Sequence, residues 1–159
     1  MRSNTFVLVN SIAVFGVAAV LLAQASEPLF GTWKLDAAKS QYTPGPAPRN
    51  STKRYEPYQG GVKASQDTTT AKGTQQHIEI VGALDGKDYP SIGNPEIDTY
   101  SFRKVADRTY EIVQKKAGKV VYTVRTTVSN DGKSRTVTQT GTNAEGKAVE
   151  NSMYWERVQ

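Results

Sequence analysis

The stretch AGKVVYTVRTTVSNDGK, residues 117–133, carries the pattern from which the fold is predicted. Between its two glycine-containing turns, apolar or strand-forming side chains occupy the even positions: Val120, Tyr122, Val124, Thr126 and Val128. The odd positions include Arg125 and Thr127. Because successive side chains of a strand point to opposite faces, this alternation predicts a half-buried β-strand whose even positions face a core.

A glycine-lysine turn of the same form occurs four times along the chain. The copies are Asp85-Gly86-Lys87, Ala117-Gly118-Lys119, Asp131-Gly132-Lys133 and Glu145-Gly146-Lys147, and further glycines stand at Gly60, Gly61 and Gly73. Glycine supplies the positive φ angles that tight hairpins require. Within each half of the chain these glycines are 12 to 14 residues apart, which predicts an up-and-down meander of strands joined by short hairpins.

Composition favours strands throughout the rest of the chain. The 134 residues after position 25 contain 40 Val, Ile, Thr and Tyr, which are strand-forming types. No sustained apolar stripe of helical period occurs, and the best helical candidate is the short segment Asp36 to Ser40. Strands are predicted at 28–35, 51–58, 61–71, 75–84, 98–105, 108–116, 119–129, 134–142 and 147–158.

An antiparallel meander can close on itself only with an even number of strands. Lys87 to Ile92 is therefore predicted as a further strand, short and weakly paired because it contains Pro90. The predicted fold is all-β, a single up-and-down antiparallel β-barrel of about ten strands formed by residues 26–159. This count places the two longest connections, Asp36 to Asn50 and Gly93 to Ile97, at the same end, where they would form a binding mouth.

The remaining strands predict what faces the lumen. Alternation points the following side chains inward: Ile78, Ile80, Tyr100, Phe102, Tyr110 and Ile112. By contrast, Ser65 to Ala71 and Ser134 to Thr142 carry mostly polar side chains on both faces. Hydrocarbon cannot fill such a barrel completely, so the lumen is predicted to be partly polar and hydrated.

The first 25 residues, MRSNTFVLVNSIAVFGVAAVLLAQA, form a separate unit. One early Arg, an apolar stretch and the sequence Ala23-Gln24-Ala25 predict a secretory signal peptide that is cleaved after Ala25. An uncleaved membrane anchor is the alternative, because only Asn10 and Ser11 interrupt the apolar run over residues 6–23. We expect a secreted or periplasmic protein that has no stable membrane span after cleavage.

Charge and residue types exclude several functions. The mature chain has 19 basic and 15 acidic side chains, a net charge of +4, and its basic residues are scattered, so no nucleic-acid-binding surface is expected. The chain contains no Cys and a single His, which excludes disulfides, thiolate metal sites and a conventional catalytic triad. We expect neither a cofactor nor enzymatic activity.

The candidate metal ligands have simpler interpretations. His77 alternates with Ile78 and Ile80, so it is expected on the outer surface rather than as a haem ligand or a general base. Four acids gather near the predicted short strand: Asp85, Asp88, Glu96 and Asp98. Their spacing matches no calcium-binding loop, and they are expected to form turns and to protect strand edges, so no metal site is predicted.

The two ends of the mature chain carry a family resemblance. The first strand contains Phe30-Gly31-Thr32-Trp33-Lys34-Leu35, and the chain finishes Tyr154-Trp155-Glu156-Arg157-Val158-Gln159. These segments resemble the calycin superfamily, the lipocalins and intracellular fatty-acid-binding proteins, and most of all small exported bacterial lipocalin-like proteins of unknown function. The resemblance implies that Trp33 plugs the closed end of the barrel and that Arg157 lies across it, a contact of about 0.5–2 kcal/mol.

The sequence departs from the fatty-acid-binding proteins at two points. Those proteins have a helical lid after the first strand, whereas Pro44, Pro46 and Pro48 here favour an extended loop. They also bind a carboxylate with Arg-x-Tyr in the last strand, and the corresponding positions here are Met153 and Trp155.

Aromatic residues mark the predicted ligand site. Tyr42 and Tyr89 are expected near the mouth, and Tyr100, Tyr122, Met153 and Trp155 in the lumen, unless the aromatic rings simply fill the core. The sequence thus predicts non-catalytic binding of a small, partly apolar or amphipathic molecule. The alternative is a protein-recognition module, such as a periplasmic inhibitor or an envelope-associated structural protein, whose partner contacts the Pro-rich loop 44–48.

Overall fold

The computed structural model describes residues 27–158, so the predicted signal peptide, or the alternative anchor, lies outside the described residues. Ten strands and no helix are found among them. The strands are β1 (Gly31–Gln41), β2 (Asn50–Tyr58), β3 (Gly61–Thr69), β4 (Gln75–Gly82), β5 (Asp85–Ile92), β6 (Thr99–Ala106), β7 (Thr109–Lys116), β8 (Lys119–Val128), β9 (Ser134–Thr142) and β10 (Ala148–Val158). None of these residues belongs to a helix that could cross a membrane.

The strands form a closed up-and-down barrel. Each strand pairs antiparallel with its neighbours in the chain, and β1 pairs with β10 to complete the ring. The closed ten-stranded antiparallel barrel predicted from the sequence is therefore confirmed, including the additional strand β5 with its Pro90. Its weak pairing is also found, because only Glu79–Ile92 and Ile80–Ser91 pair between β4 and β5.

The first strand is longer than predicted. Asp36 to Ser40, the helical candidate, belongs to β1, so that prediction is wrong and the following loop is shorter. The pairing with β10 is interrupted by a bulge between Asp36 and Gln41. There the Ser40 hydroxyl donates to the Asp36 carbonyl at 2.6 Å and accepts from the Tyr154 N–H at 3.0 Å. These bonds satisfy backbone groups that a regular ladder would otherwise pair.

One predicted glycine turn lies where expected, and another is displaced. Ala117-Gly118 forms a tight hairpin turn with positive φ at both residues. The turn predicted at Asp85-Gly86 instead lies at residues 83–84, and Gly86, with φ of 76°, lies inside β5. The β5–β6 register shifts between Asp85 and Asp88, so this glycine serves a β-bulge rather than a hairpin turn.

The alternation that predicted β8 holds except at its first position. Tyr122, Val124, Thr126 and Val128 are buried, whereas Val120 is 59% exposed, which corrects its predicted inward orientation. The cause is a bulge, because Gln114 pairs with Tyr122 while the next residue of β7 pairs with Val120. Of the other residues predicted to face inward, all but Ile78 are fully buried, and Ile78 packs against the core.

One end of the barrel is closed by Trp33. The indole is fully buried, and its Nε1–H donates to the Leu29 carbonyl at 2.9 Å. Arg157 is the direct cross-strand partner of Trp33, and its guanidinium carbon lies 4.1 Å from the indole centroid. The guanidinium also donates to the carbonyls of Phe30 and Gly132 at 2.6 Å and of Pro28 at 2.8 Å. The two ends of the chain thus close the barrel together.

Candidate functional site

The barrel encloses a cavity of about 560 Å³. Pro44 and Pro46 of the β1–β2 connection line it, together with Asn94 and Glu96 of the β5–β6 connection. The two connections lie at the end opposite Trp33, because the alternating strand directions put both of them there. The two loops predicted to form a mouth therefore share one end of the barrel and border the same cavity.

The cavity wall is mixed in polarity. Aliphatic side chains line much of it: Ile78, Ile97, Ile112, Val124, Val137 and Val149. Side-chain amides line the rest: Gln66, Gln76, Asn94, Gln114, Gln139, Asn143 and Asn151. The predicted polar strands β3 and β9 both contribute amides, so the wall is partly polar as their composition indicated. Such a wall suits a molecule with an apolar body and several polar groups.

Four of the six predicted ligand-binding residues line this cavity: Tyr100, Tyr122, Met153 and Trp155. Tyr100 and Tyr122 are nearly buried, and burial raises the pKa of the Tyr100 hydroxyl to about 12. Asn94 of the mouth donates to that hydroxyl at 2.9 Å. The neutral tyrosine therefore joins the mouth loop to the cavity wall.

The other two predicted residues lie away from the cavity wall. Tyr42, directly after β1, packs against the core, and burial raises the pKa of its hydroxyl to about 12. The Tyr89 ring packs over Gly82, where an added Cβ would come within 2.7 Å of ring atoms. Its hydroxyl donates to Asp85 at 3.0 Å. Both rings support the barrel without lining the lumen.

Several cavity-lining residues were not predicted from the sequence, and Arg135 is the buried charged residue among them. It is the second residue of β9, lines the cavity and is only 2% exposed. Because β9 carries mostly polar side chains on both faces, its composition did not indicate which face points into the lumen. The signal was Val137, which shares a face with Arg135 under strand alternation and is itself buried.

Three aromatic rings surround the Arg135 guanidinium. Its carbon lies 5.2 Å from the ring centroids of Trp33 and Tyr55 and 4.8 Å from that of Trp155. Nη1 donates to the Tyr55 hydroxyl across a long distance of 3.4 Å. Burial lowers the pKa of this guanidinium, and the nearby Arg157 acts in the same direction.

The cavity base is positively charged, and this charge lowers the pKa of the Tyr55 hydroxyl. Burial alone would raise the pKa of the Tyr55 hydroxyl, but Lys53 and Arg135 outweigh burial, so this pKa is below the ordinary value. The Lys53 ammonium lies 5.3 Å from the Tyr55 ring centroid and also lines the cavity. Glu96 is the only carboxylate among the described lining residues, and it lies in a mouth loop.

Apart from Glu96, the candidate catalytic and metal-ligating residues lie outside the cavity lining. His77 pairs with Asp67 at 2.6 Å, and their side chains are 57% and 70% exposed. Asp88 pairs with Lys115, and Asp98 pairs with Lys116, so these acids have separate partners. Over residues 27–158, no three potential ligands of the types His, Cys, Asp and Glu gather in a group that could hold a metal ion.

Comparisons with known proteins give no family assignment. No family model matches the sequence, and no curated protein is significantly similar to it. The closed ten-stranded antiparallel barrel is compatible with a calycin or lipocalin-like fold.

Proposed function

We propose that this chain is an exported lipocalin-like barrel that binds a small, partly apolar molecule in its lumen without transforming it chemically. The observation that carries the proposal is the cavity of about 560 Å³ with its mouth between two loops. Protein sites for small molecules typically have volumes of about 300–1,000 Å³. The Gly-x-Trp of β1 and the final Arg157 support the family resemblance.

The lining residues favour binding over catalysis. Glu96 is the single carboxylate that they supply, whereas an acid–base pair requires two groups with different proton affinities. The imidazole of His77 is on the outer surface, paired with Asp67. The His77 ring bonds to Asp67 rather than to a serine or threonine hydroxyl, so it does not form the nucleophile–base pair that covalent catalysis needs.

The Pro-rich loop, which the protein-recognition alternative uses, belongs to the same site. Pro44 and Pro46 line the cavity mouth, so deletion of residues 44–48 would disturb ligand binding and partner binding together. Filling the lumen separates the two functions, because it leaves the outer surface of the loop in place.

A lumen-filling variant tests the proposed function. The probe is N-phenyl-1-naphthylamine, an uncharged aromatic amine whose fluorescence rises in apolar surroundings. Unmodified protein should bind it saturably, and Val124→Trp, which extends a lining side chain into the cavity, should abolish binding. The control is Thr123→Trp, since this neighbouring residue of β8 does not line the cavity. Circular dichroism verifies the fold of both variants.

Two results would contradict luminal binding. The first is that the unmodified protein does not bind this probe saturably. The second is equal binding by the two folded tryptophan variants, which would place the probe on the outer surface. The export part of the proposal has its own measurement, because amino-terminal sequencing of the exported protein should find Ser26 first, and a chain that starts at Met1 would contradict cleavage.

A further inference from the structure

The base of the cavity holds a positive charge that the described residues do not neutralise. Arg135 is 2% exposed, and no Asp or Glu in residues 27–158 forms an ion pair with it. The charged or titratable groups that act on it are Tyr55 and Arg157. Its Nε–H has no hydrogen-bond partner within residues 27–158.

Such a charge is costly to bury. Arginine stays protonated in proteins, so it cannot avoid the cost by losing its proton. The rings of Trp33, Tyr55 and Trp155 compensate part of the charge by cation–π attraction. Aromatic faces attract a cation but offer no lone pairs in the guanidinium plane. The in-plane N–H donors therefore still require oxygen acceptors.

Two further unpartnered groups lie beside Arg135. Trp155 Nε1 and Thr126 Oγ1 are buried, belong to cavity-lining residues and have no hydrogen-bond partner in the part of the chain that the structure describes. Trp155 is the direct cross-strand partner of Arg135, and Val128, two residues after Thr126, is its partner on the other side. Three adjacent strands therefore bring a guanidinium, an indole N–H and a hydroxyl to one face of the lumen.

The charges around this face have one sign. Lys53 lines the cavity near Tyr55, and Arg157 lies on the other face of the closed end against Trp33. Glu96, the only acid among the described lining residues, belongs to a loop at the mouth, whereas Arg135 lies near the start of β9, at the closed end. An anion that enters the cavity would therefore gain favourable interactions as it approaches the base.

We propose that the ligand is an amphipathic organic anion whose oxyanion group binds Arg135, with Trp155 Nε1 and Thr126 Oγ1 as additional donors. This inference rests on the proposed luminal binding and adds the chemical class of the ligand. The apolar body lies against the aliphatic wall formed in part by Ile112, Val124 and Val137.

A pair of probes that differ in charge tests the inference. 8-Anilinonaphthalene-1-sulfonate has the same ring system as N-phenyl-1-naphthylamine and adds one sulfonate. Unmodified protein should bind the anion more tightly than the amine. In Arg135→Met the affinity for the anion should fall by roughly 10- to 100-fold, the worth of hydrogen bonds to a charged group, while the affinity for the amine is retained.

The control removes the same charge from the outer face. Arg125 is exposed on β8, so Arg125→Met should leave the affinities for both probes unchanged. If both probes bind and Arg135→Met weakens them equally or not at all, the anion assignment is wrong while luminal binding stands. If the unmodified protein binds neither probe, the proposed function fails with it.

Conservative variants keep the test valid should Arg135→Met fail to fold. Thr126→Val preserves side-chain shape and removes only a hydroxyl, and Trp155→Phe removes the indole N–H. Each variant should weaken binding of the sulfonate probe more than binding of the uncharged amine, and equal effects on the two probes would overturn the inference.

Competition against the sulfonate probe then identifies the source of the anion. Decanoate or 2-naphthoate should displace it, and displacement by inorganic phosphate at the same concentration would contradict the amphipathic character.

Discussion

At the scale of single residues, two arginines near Trp33 have opposite hydrogen-bonding states. Arg157 donates to three backbone carbonyls and stacks on the indole. Arg135 approaches the same indole at 5.2 Å, yet has only the long bond to Tyr55 among the described residues. The first arginine is satisfied by the fold, whereas the second retains donors for a ligand.

Replacement of Arg157 should destabilise the barrel. Arg157→Lys keeps the charge but removes the planar fork that reaches Pro28, Phe30 and Gly132. We expect the free energy of unfolding to fall by about 1–3 kcal/mol, measured by urea denaturation. Arg125→Lys on the exposed face is the control and should change it by less than about 0.5 kcal/mol. Equal effects of the two variants would show that the carbonyl contacts contribute nothing.

At the scale of elements, the hairpins are held by short turns and by side chains that reach across the mouth. Asp98, just before β6, accepts from the Ala117 N–H and from the Lys116 ammonium, both at 2.7 Å. It thereby connects the β5–β6 loop to the β7–β8 turn. The Ala117 N–H, and then Lys116, hold the pKa of this carboxyl below its usual value of 3.8.

This lowered pKa gives a stability contribution with a defined pH dependence. A carboxyl whose folded pKa is below its unfolded pKa stabilises the fold above the unfolded value, near 3.9, and the contribution is lost as the pH falls through the folded value. Asp98→Asn should therefore lower the urea midpoint at pH 6, and the difference from the unmodified protein should shrink below about pH 4. Asp107→Asn, at a side chain that is 91% exposed, is the control. A difference for Asp98→Asn that stays constant from pH 6 to pH 2 would contradict this role.

At the scale of the whole molecule, the segment before β1 completes the closed end. Leu29 is fully buried, and its carbonyl accepts from Trp33. Glu27 pairs with Lys104 at 2.9 Å and accepts a hydrogen bond from the Tyr110 hydroxyl. Leu29 thus belongs to the barrel core, and Phe30 packs against it.

Truncation of Leu29 should destabilise the molecule as a whole. Leu29→Ala leaves a cavity against Trp33 and should lower the free energy of unfolding by about 2–4 kcal/mol, measured by thermal or urea denaturation. The matched control is Val120→Ala, because Val120 is 59% exposed and its truncation should cost less than about 0.5 kcal/mol. A loss at Leu29 as small as that at Val120 would mean that the closed end does not depend on this segment.

Prediction from the sequence succeeded where the signal is local and failed where it depends on register. Turn glycines and side-chain alternation defined nine strands, and the even number that a closed antiparallel meander requires added β5. The bulges at Gly86 and at Val120 were not predicted. An inserted residue changes the face of the sheet to which the neighbouring side chains point, but it leaves the composition of the strand unchanged. Tyr100, Tyr122, Met153 and Trp155 line the cavity, but Tyr42 and Tyr89 do not, since proximity along the chain to a mouth does not determine where a ring packs.

The sequence by itself determined an all-β meander of ten strands and the meeting of its two ends, because side-chain alternation and turn glycines act within a few residues. Only the tertiary structure decided where the charge inside the barrel lies. Arg135 becomes a buried cation because the register of β8, β9 and β10 places it between Val128 and Trp155, and no acid among the described residues forms an ion pair with it. Glu156, which follows Trp155 on β10, pairs with Lys39 instead. Alternation with Val137 indicates only that Arg135 faces inward, whereas the residues that surround it depend on the strands paired across the sheet.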